Sequence, residues 1–319
     1  MTLDLPDLDG LRRGGKRALS RMLTRLETEE GEPAIAAFLD KAALAPGGHV
    51  LGLTGPPGVG KSTLTNCLIQ SFRANGEQVS VLAIDPSSRF TGGALLGDRT
   101  RLQTDPLDQK VFVRSMAARD RLGGLSDHAI AAIALLRAVS DRVIVESVGI
   151  GQSESDLAQA ADTVVLCIQP GSGDSLQFMK AGVMELPDIV AVTKADMGRI
   201  ARQAASDVEG ALSLSRRRNA DWKVPVCEVS ARDRENLEPF LGQVEAHRRF
   251  LGAGNRLPVH RANQHRHWLL DMVRARYGLA GLAYLAEKER PATEPPGSLY
   301  PFQAYADLKR ELDARLFGV

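Results

Sequence analysis

The chain has 319 residues, enough to bury a substantial core, and its length suits one or two domains. Its 44% hydrophobic and 25% charged residues read as a soluble globular protein, and 40 basic against 39 acidic side chains leave no large field for steering nucleic acid. The acidic Met1–Gly10 start and the lack of a long apolar run argue against a signal peptide or membrane span, so a cytoplasmic protein with no membrane partner is expected.

Residues 11–45 read as helices ahead of the first strand. Leu11, Leu19, Leu23 and Leu26, then Ile35, Phe38 and Leu39, fall at helical spacing, with Gly31-Glu-Pro33 as a break. The apolar run His49–Thr54 then reads as a strand, and Ser62 to about Phe72 as a helix. Between them stands Gly55-Pro56-Pro57-Gly58-Val59-Gly60-Lys61-Ser62, the G-x-x-x-x-G-K-[ST] phosphate loop. Its glycines let backbone N–H groups turn inward around phosphate oxygens, and the helix N-terminus adds a positive dipole end. Lys61 can reach the β- and γ-phosphates, and the Ser62 hydroxyl can ligate Mg²⁺. A plain Gly-rich turn is the alternative, but the full octet with both flanks points to a bound nucleoside triphosphate.

Further strands are expected at Val79–Ile84, Val111–Val113, Arg142–Glu146, Thr163–Ile168, Ile189–Thr193 and Pro225–Val229. Helices are expected at Asp127–Val139, Ser155–Ala161, Ser175–Met184, Ile200–Arg216 and Asn236–Phe250. This alternation predicts an α/β fold with a mostly parallel, doubly wound sheet covered on both faces. Cys67, Cys167 and Cys227 lie far apart beside apolar stretches, without metal-ligand spacing, and read as reduced, buried thiols.

Four segments after the phosphate loop bear on the nucleotide. Asp85 ends a strand and would point its carboxylate into the ligand crevice, although a strand-ending Asp in a turn would look the same. In Val143-Ile-Val-Glu146-Ser-Val-Gly149, an apolar strand ends in an acid with Gly three residues on. Glu146 would hold Mg²⁺ directly or through water, and the Gly149 N–H would contact the γ-phosphate. Gln152 and Glu154 follow on a loop that can move when that phosphate leaves. Thr193-Lys194-Ala195-Asp196 has the [N/T]-K-x-D form. Asp196 can accept from N1–H and the 2-amino group of guanine, donors that adenine lacks, while the Lys194 stem covers the base. Thr193 stands where Asn is usual; being shorter, it can either meet N7 or tie this loop to the phosphate loop. That loss of about 1 kcal/mol modestly weakens guanine preference. In Glu228-Val-Ser230-Ala231, the Ala231 N–H can meet guanine O6.

Gln169–Lys180 is Gly-rich and polar, and reads equally as a mobile loop on the nucleotide side or a plain strand-to-helix connection. Arg216-Arg-Arg218 reads as a solvated helix end rather than a nucleic-acid patch. Beyond Gly252 the pattern turns helical, with Trp268, Leu269, Met272 and Val273 in one stripe and Leu279, Leu282 and Leu285 in another. A Pro-rich link then leads to a last helix with Tyr305, Leu308, Leu312 and Leu316 on one face. Such a tail either packs back on its own domain or meets another chain.

Taken together, Gly55–Thr63, Ile84-Asp85-Pro-Ser-Ser88, Leu96-Gly-Asp98-Arg-Thr-Arg101, Glu146–Glu154 and Pro170-Gly-Ser-Gly-Asp174 resemble the MeaB/ArgK GTPases, over residues from about 10 to 250. The resemblance implies a homodimeric P-loop GTPase that docks on a cobalamin-dependent acyl-CoA mutase of the methylmalonyl-CoA type and gates the loading and protection of adenosylcobalamin. It further implies that Asp85, Asp98 and Glu146 are Mg²⁺ and switch carboxylates, that Pro170–Lys180 is a third switch, and that the tail after Gly252 is a dimerisation arm.

The expected layout is a helical extension at 1–45, a GTPase domain at 46–251 and a helical arm at 252–319. The catalytic candidates are Lys61, Asp85, Glu146 and Gln152, and the metal candidates Ser62, Asp85, Asp98 and Glu146. The nucleotide candidates are Gly55, Pro56, Pro57, Gly58, Val59, Gly60, Lys61, Ser62, Thr63, Gly149, Thr193, Lys194, Asp196, Ser230 and Ala231, with GTP or GDP and Mg²⁺ as ligands. No arginine in these motifs stands out as a built-in finger, so intrinsic turnover is expected to be slow. Two rival functions are an ATP-dependent kinase or ATPase linked to basic amino-acid transport, and a nucleotide-sensing assembly module in which hydrolysis is incidental.

Overall fold

The computed structural model describes residues 4–29, 31–85, 102, 104–117, 125–147, 153–171, 183–215, 219, 221–289 and 300–317. Most of the expected Ser175–Met184 helix, the Arg216-Arg-Arg218 run and most of the Pro170–Lys180 loop lie outside these residues; Val183 and Met184, the end of that expected helix, fall in a 3-10 turn, Val183–Glu185.

Seven strands form one sheet: β1 (His49–Thr54), β2 (Val79–Asp85), β3 (Val111–Ala117), β4 (Arg142–Glu146), β5 (Thr163–Ile168), β6 (Ile189–Thr193) and β7 (Val226–Val229). Their order is β3-β2-β4-β1-β5-β6-β7, and every recorded pairing is parallel. The chain leaves β1 toward one edge and β5 toward the other. A crevice therefore opens beyond the C-terminal ends of these adjacent strands, where open α/β sheets bind ligands. Both faces are covered, which is why β1, β2, β4, β5 and β6 are apolar almost without interruption and buried throughout.

The helices are α1 (Leu8–Thr28), α2 (Pro33–Leu44), α3 (Lys61–Ala74), α4 (Asp127–Val139), α5 (Ser153–Ala158), α6 (Arg199–Leu214), α7 (Leu237–Gly252), α8 (Arg256–Glu289) and α9 (Pro301–Phe317). Leu64, Leu68 and Phe72 of α3, with Phe240 and Val244 of α7, close one face over Leu51, Leu53, Val81, Ile144 and Val165. On the other face α1, α2, α4 and α5 share a core with Val50, Leu82, Val143, Val145 and Val164. No helix among the described residues is long and apolar enough to cross a membrane.

The tail joins that second core. Trp268, Leu269, Met272 and Val273 of α8 and Leu308 and Leu312 of α9 are buried in it. Asp40 of α2 caps α9, accepting from the Phe302 N–H and the Gln303 N–H at 2.9 Å each. The expected stripe Leu279, Leu282, Leu285 is split: Leu285 is buried, Leu282 half-buried and Leu279 83% exposed. The cause is a break in α8 at Gly278 (φ 61°), which shifts the phase of the helix before Leu279. β3 also runs four residues beyond the expected Val111–Val113. Arg114 interrupts the apolar run, but on this edge strand it reaches Glu27 of α1 at 2.7 Å while the backbone pairs on to Ala117.

Candidate nucleotide-binding site

The phosphate loop connects β1 to α3 at the crevice. It starts at Gly55 (φ 136°), where a Cβ would stand 2.3 Å from the Cys167 carbonyl oxygen, so only glycine lets β1 turn away this close to β5. It ends at Gly60 (φ 104°), the N-cap of α3, which carries no side-chain cap and so leaves the helix's first N–H groups aimed at the loop. Lys61 is buried, and its Nζ donates to the carbonyls of Gly55 at 2.7 Å and Pro56 at 3.1 Å. The ammonium is thus held over the concave side of the loop. Thr63 is exposed at the first turn of α3.

Glu146 ends β4 on the α3 face of the sheet. Ser62 Oγ donates to its Oε1 at 2.7 Å, and Thr65 Oγ1 donates to its Oε2 at 3.1 Å. Asp85 ends β2, two residues past Ala83, which lies in register with Glu146. The period-two alternation of a strand therefore puts Asp85 on the same sheet face, and it too is buried. One hydroxyl and two carboxylates are hard oxygen donors, the set that Mg²⁺ takes when phosphate oxygens and water complete its shell. Among the described residues, no three His, Cys, Asp or Glu side chains group as a protein-only metal cage. The residues present fit Mg²⁺ brought in with a nucleotide.

The base side is assembled from the ends of β6 and β7. Thr193, buried, donates its hydroxyl to the Val59 carbonyl at 2.7 Å and lies 3.1 Å from that of Ile168. Lys194, in the left-handed region (φ 56°), sends its Nζ to Gln169 Oε1 at 2.6 Å and to the Gly58 carbonyl at 3.2 Å. Asp196 is exposed, and the fully buried Ser230 donates to its Oδ1 at 2.8 Å. Ala231 follows, its carbonyl accepting from Cys67 Sγ of α3 at 3.2 Å. Two loops far apart in sequence are thus tied to the phosphate loop and its helix.

Asp98, Gly149 and Gln152 lie outside the described residues. Sequence reasoning missed Thr65 and Gln169. A threonine three residues after Ser62, on a helix whose other core-facing positions are apolar, was a usable signal for the first. Nothing in the sequence pairs Gln169 with Lys194. The three cysteines are free, and burial pushes Cys167 up to about 12 and Cys227 to about 11, which fits inert thiols.

A cavity of about 670 Å³ lies elsewhere, among Leu26, Ile35, Trp268, Met272, Phe302 and Tyr305. It holds none of the motif residues, and the chemistry belongs at the crevice.

Residues 19–280 match the family model described as methylmalonyl Co-A mutase-associated GTPase MeaB. The chain belongs to the MeaB family of GTPases. Among MeaB-like relatives, it is 42% identical over 252 residues to a protein of Pyrococcus abyssi named as a GTPase, covering 78% of each chain. It is 33% identical over 265 residues to GTPase ArgK of Escherichia coli, covering 81% of this chain and 80% of that one. Over 226 residues it is 36% identical to the methylmalonic aciduria type A homolog of Mus musculus, covering 70% of this chain and 54% of the mouse protein. The fold matches the crystal structure of a LAO/AO transport system kinase with a TM-score of 0.65 over 96% of each chain, at 24% identity. MeaB membership and the crevice geometry converge on the same P-loop nucleotide site.

Proposed function

We propose that this chain is a GTP-binding and GTP-hydrolysing switch that docks on a cobalamin-dependent acyl-CoA mutase and gates the loading and protection of adenosylcobalamin. The observation that carries the nucleotide part is a pair of ties: Thr193 to Val59 joins the base side to the phosphate loop, and Ser230 to Asp196 joins the two base-side loops to each other. The Ser230 bond occupies Oδ1 of Asp196 and orients a carboxylate whose charge suits the N1–H and 2-amino donors of guanine. The mutase part rests on the family's description and on the name of the mouse relative.

In this reading the loop amides and Lys61 stabilise charge on the transferring phosphoryl group. Bound Mg²⁺ would neutralise phosphate charge, with Ser62, Asp85 and Glu146 to hold it. Asp98, Gly149 and Gln152 would complete the switch side. In this reading intrinsic turnover is slow, because no arginine in the motifs stands out in the sequence as a built-in finger for the transition state. The protein acts as a homodimer, and the exposed Leu279 and Val259 of α8 supply apolar surface for a second copy.

The deciding experiment is affinity capture from native extract with GDP or with a non-hydrolysable GTP analogue. Recovery of a cobalamin enzyme, changing with the nucleotide, is the expected result; none in either state overturns the client assignment.

A further inference from the structure

Thr65 is fully buried on α3, three residues beyond Ser62 and on the same helix face. A buried hydroxyl needs a partner, and the usual one in a helix is the carbonyl four residues back. Here the hydroxyl instead spans to the end of β4 and meets Glu146. The two α3 hydroxyls use separate oxygens of one carboxylate, Ser62 on Oε1 at 2.7 Å and Thr65 on Oε2 at 3.1 Å. A carboxylate held at one oxygen can still turn about its terminal bond, which is a broad rotor. Held at both, its plane is set. Glu146 is itself buried, and Leu64 and Leu68 of α3 pack beside Thr65 in the core, so bulk water does not replace a lost bond.

From this geometry we infer that Thr65 is a positioning residue for the divalent cation that accompanies the nucleotide. It acts through Glu146, keeping Oε1 turned to Ser62 so that the acid and the hydroxyl present one oxygen-lined corner to the ion. The inference rests on the GTP·Mg²⁺ reading above. It adds a residue that the phosphate-loop motif does not contain and separates two roles inside α3. Thr63 is exposed at the first turn of α3, whereas buried Thr65 serves the acid.

A merely structural role, knitting α3 to β4, would lower nucleotide and metal affinity together. A positioning role separates them. In Thr65→Val the volume is nearly kept, the loop amides and Lys61 are untouched, and Glu146 loses the tether on Oε2. The test uses the full chain with GDP: Mn²⁺ binding by electron paramagnetic resonance, and GDP affinity in excess EDTA. Thr65→Val should bind Mn²⁺ about tenfold more weakly, as loss of one hydrogen bond to a charged group implies, with metal-free GDP affinity within about twofold of wild type. Thr65→Ser, which keeps the hydroxyl and spares the fold, should stay within about threefold for both.

Unchanged Mn²⁺ affinity in Thr65→Val overturns the inference, as does an equal loss of metal-free GDP binding. So does a Thr65→Ser protein that binds Mn²⁺ as weakly as Thr65→Val. A wild-type chain that binds no GDP with or without metal overturns the underlying GTPase reading, a result distinct from each of these.

Discussion

The hydroxyl of Thr193 and the carbonyl of Val59 stand 2.7 Å apart, and that bond joins the base-reading loop to the phosphate loop. The Ile168 carbonyl, 3.1 Å away, shares the same hydrogen. Of the two jobs an Asn would do here, Thr193 does the tie and has no donor left for N7 of the base. Both purines carry N7 as an acceptor, so, unlike the weakened guanine preference expected from the sequence, this loss lowers affinity for either and leaves the choice between them to Asp196.

It follows that Thr193→Asn should tighten GDP and ADP together, by up to about fivefold for one added hydrogen bond of ~1 kcal/mol. The ratio between them should hold. Titration calorimetry with both nucleotides checks this; a change in the ratio beyond threefold would show that Thr193 reads the base.

Asp196→Asn replaces an acceptor by a donor where guanine presents donors. GTP affinity should fall by on the order of a hundredfold or more, since a site built for those hydrogen bonds is then mismatched. A base with a carbonyl at position 2, as in xanthosine triphosphate, should recover much of the loss. Ser230→Ala, which only frees the carboxylate to turn, should cost about fivefold, equivalent to ~1 kcal/mol.

At the N-terminal ends of β1 and β5, Arg261 of α8 grips the buried Asp162 through two hydrogen bonds, at 2.9 and 2.8 Å, and reaches the Gly48 carbonyl at 2.9 Å. Burial alone would raise the Asp162 carboxyl, but the Arg261 guanidinium, with His49 and Arg137 near it, holds it well below the usual range. Arg261→Met strands that charge, and breaking such a pair costs about 3–5 kcal/mol. Thermal unfolding of the full chain should shift down by on the order of 10 °C. A shift under 2 °C would mean that the pair contributes little.

Two buried groups give opposite pH responses. Burial pushes Asp40 up to about 6 from an ordinary 3.8, against the opposing effect of the Phe302 and Gln303 N–H donors. The folded chain therefore holds that proton more tightly, and stability from this group rises as pH falls through 6 toward 4. Burial pushes His49 down to about 4 from 6.5, so its contribution is present above 6.5 and is lost as pH falls toward 4. Removing the first with Asp40→Asn should steepen the loss of melting temperature between pH 6.5 and 5 relative to wild type. Parallel curves would contradict the assignment.

Much of this was legible in the residues themselves. β4, β5 and β6 read as near-continuous apolar runs because both of their faces are covered, and their predicted limits match the structure. The phosphate loop carries its function in local spacing, so it too could be read directly. What could not be read is what tertiary contact decides. Asp40 looks like an ordinary helix acid until α9 arrives from 262 residues away to be capped by it. Leu279 fits its helical stripe until Gly278 breaks the phase. Thr65 is a neutral residue in the motif's shadow until Glu146 reaches it from the end of β4.

The central claim, a guanine site built from Asp196 and the phosphate loop, is tested most directly by equilibrium titration of the full chain with GDP, GTP, ADP and ATP in excess Mg²⁺. The account predicts that both guanine nucleotides bind at least tenfold more tightly than their adenine counterparts. ATP binding as tightly as GTP would contradict it.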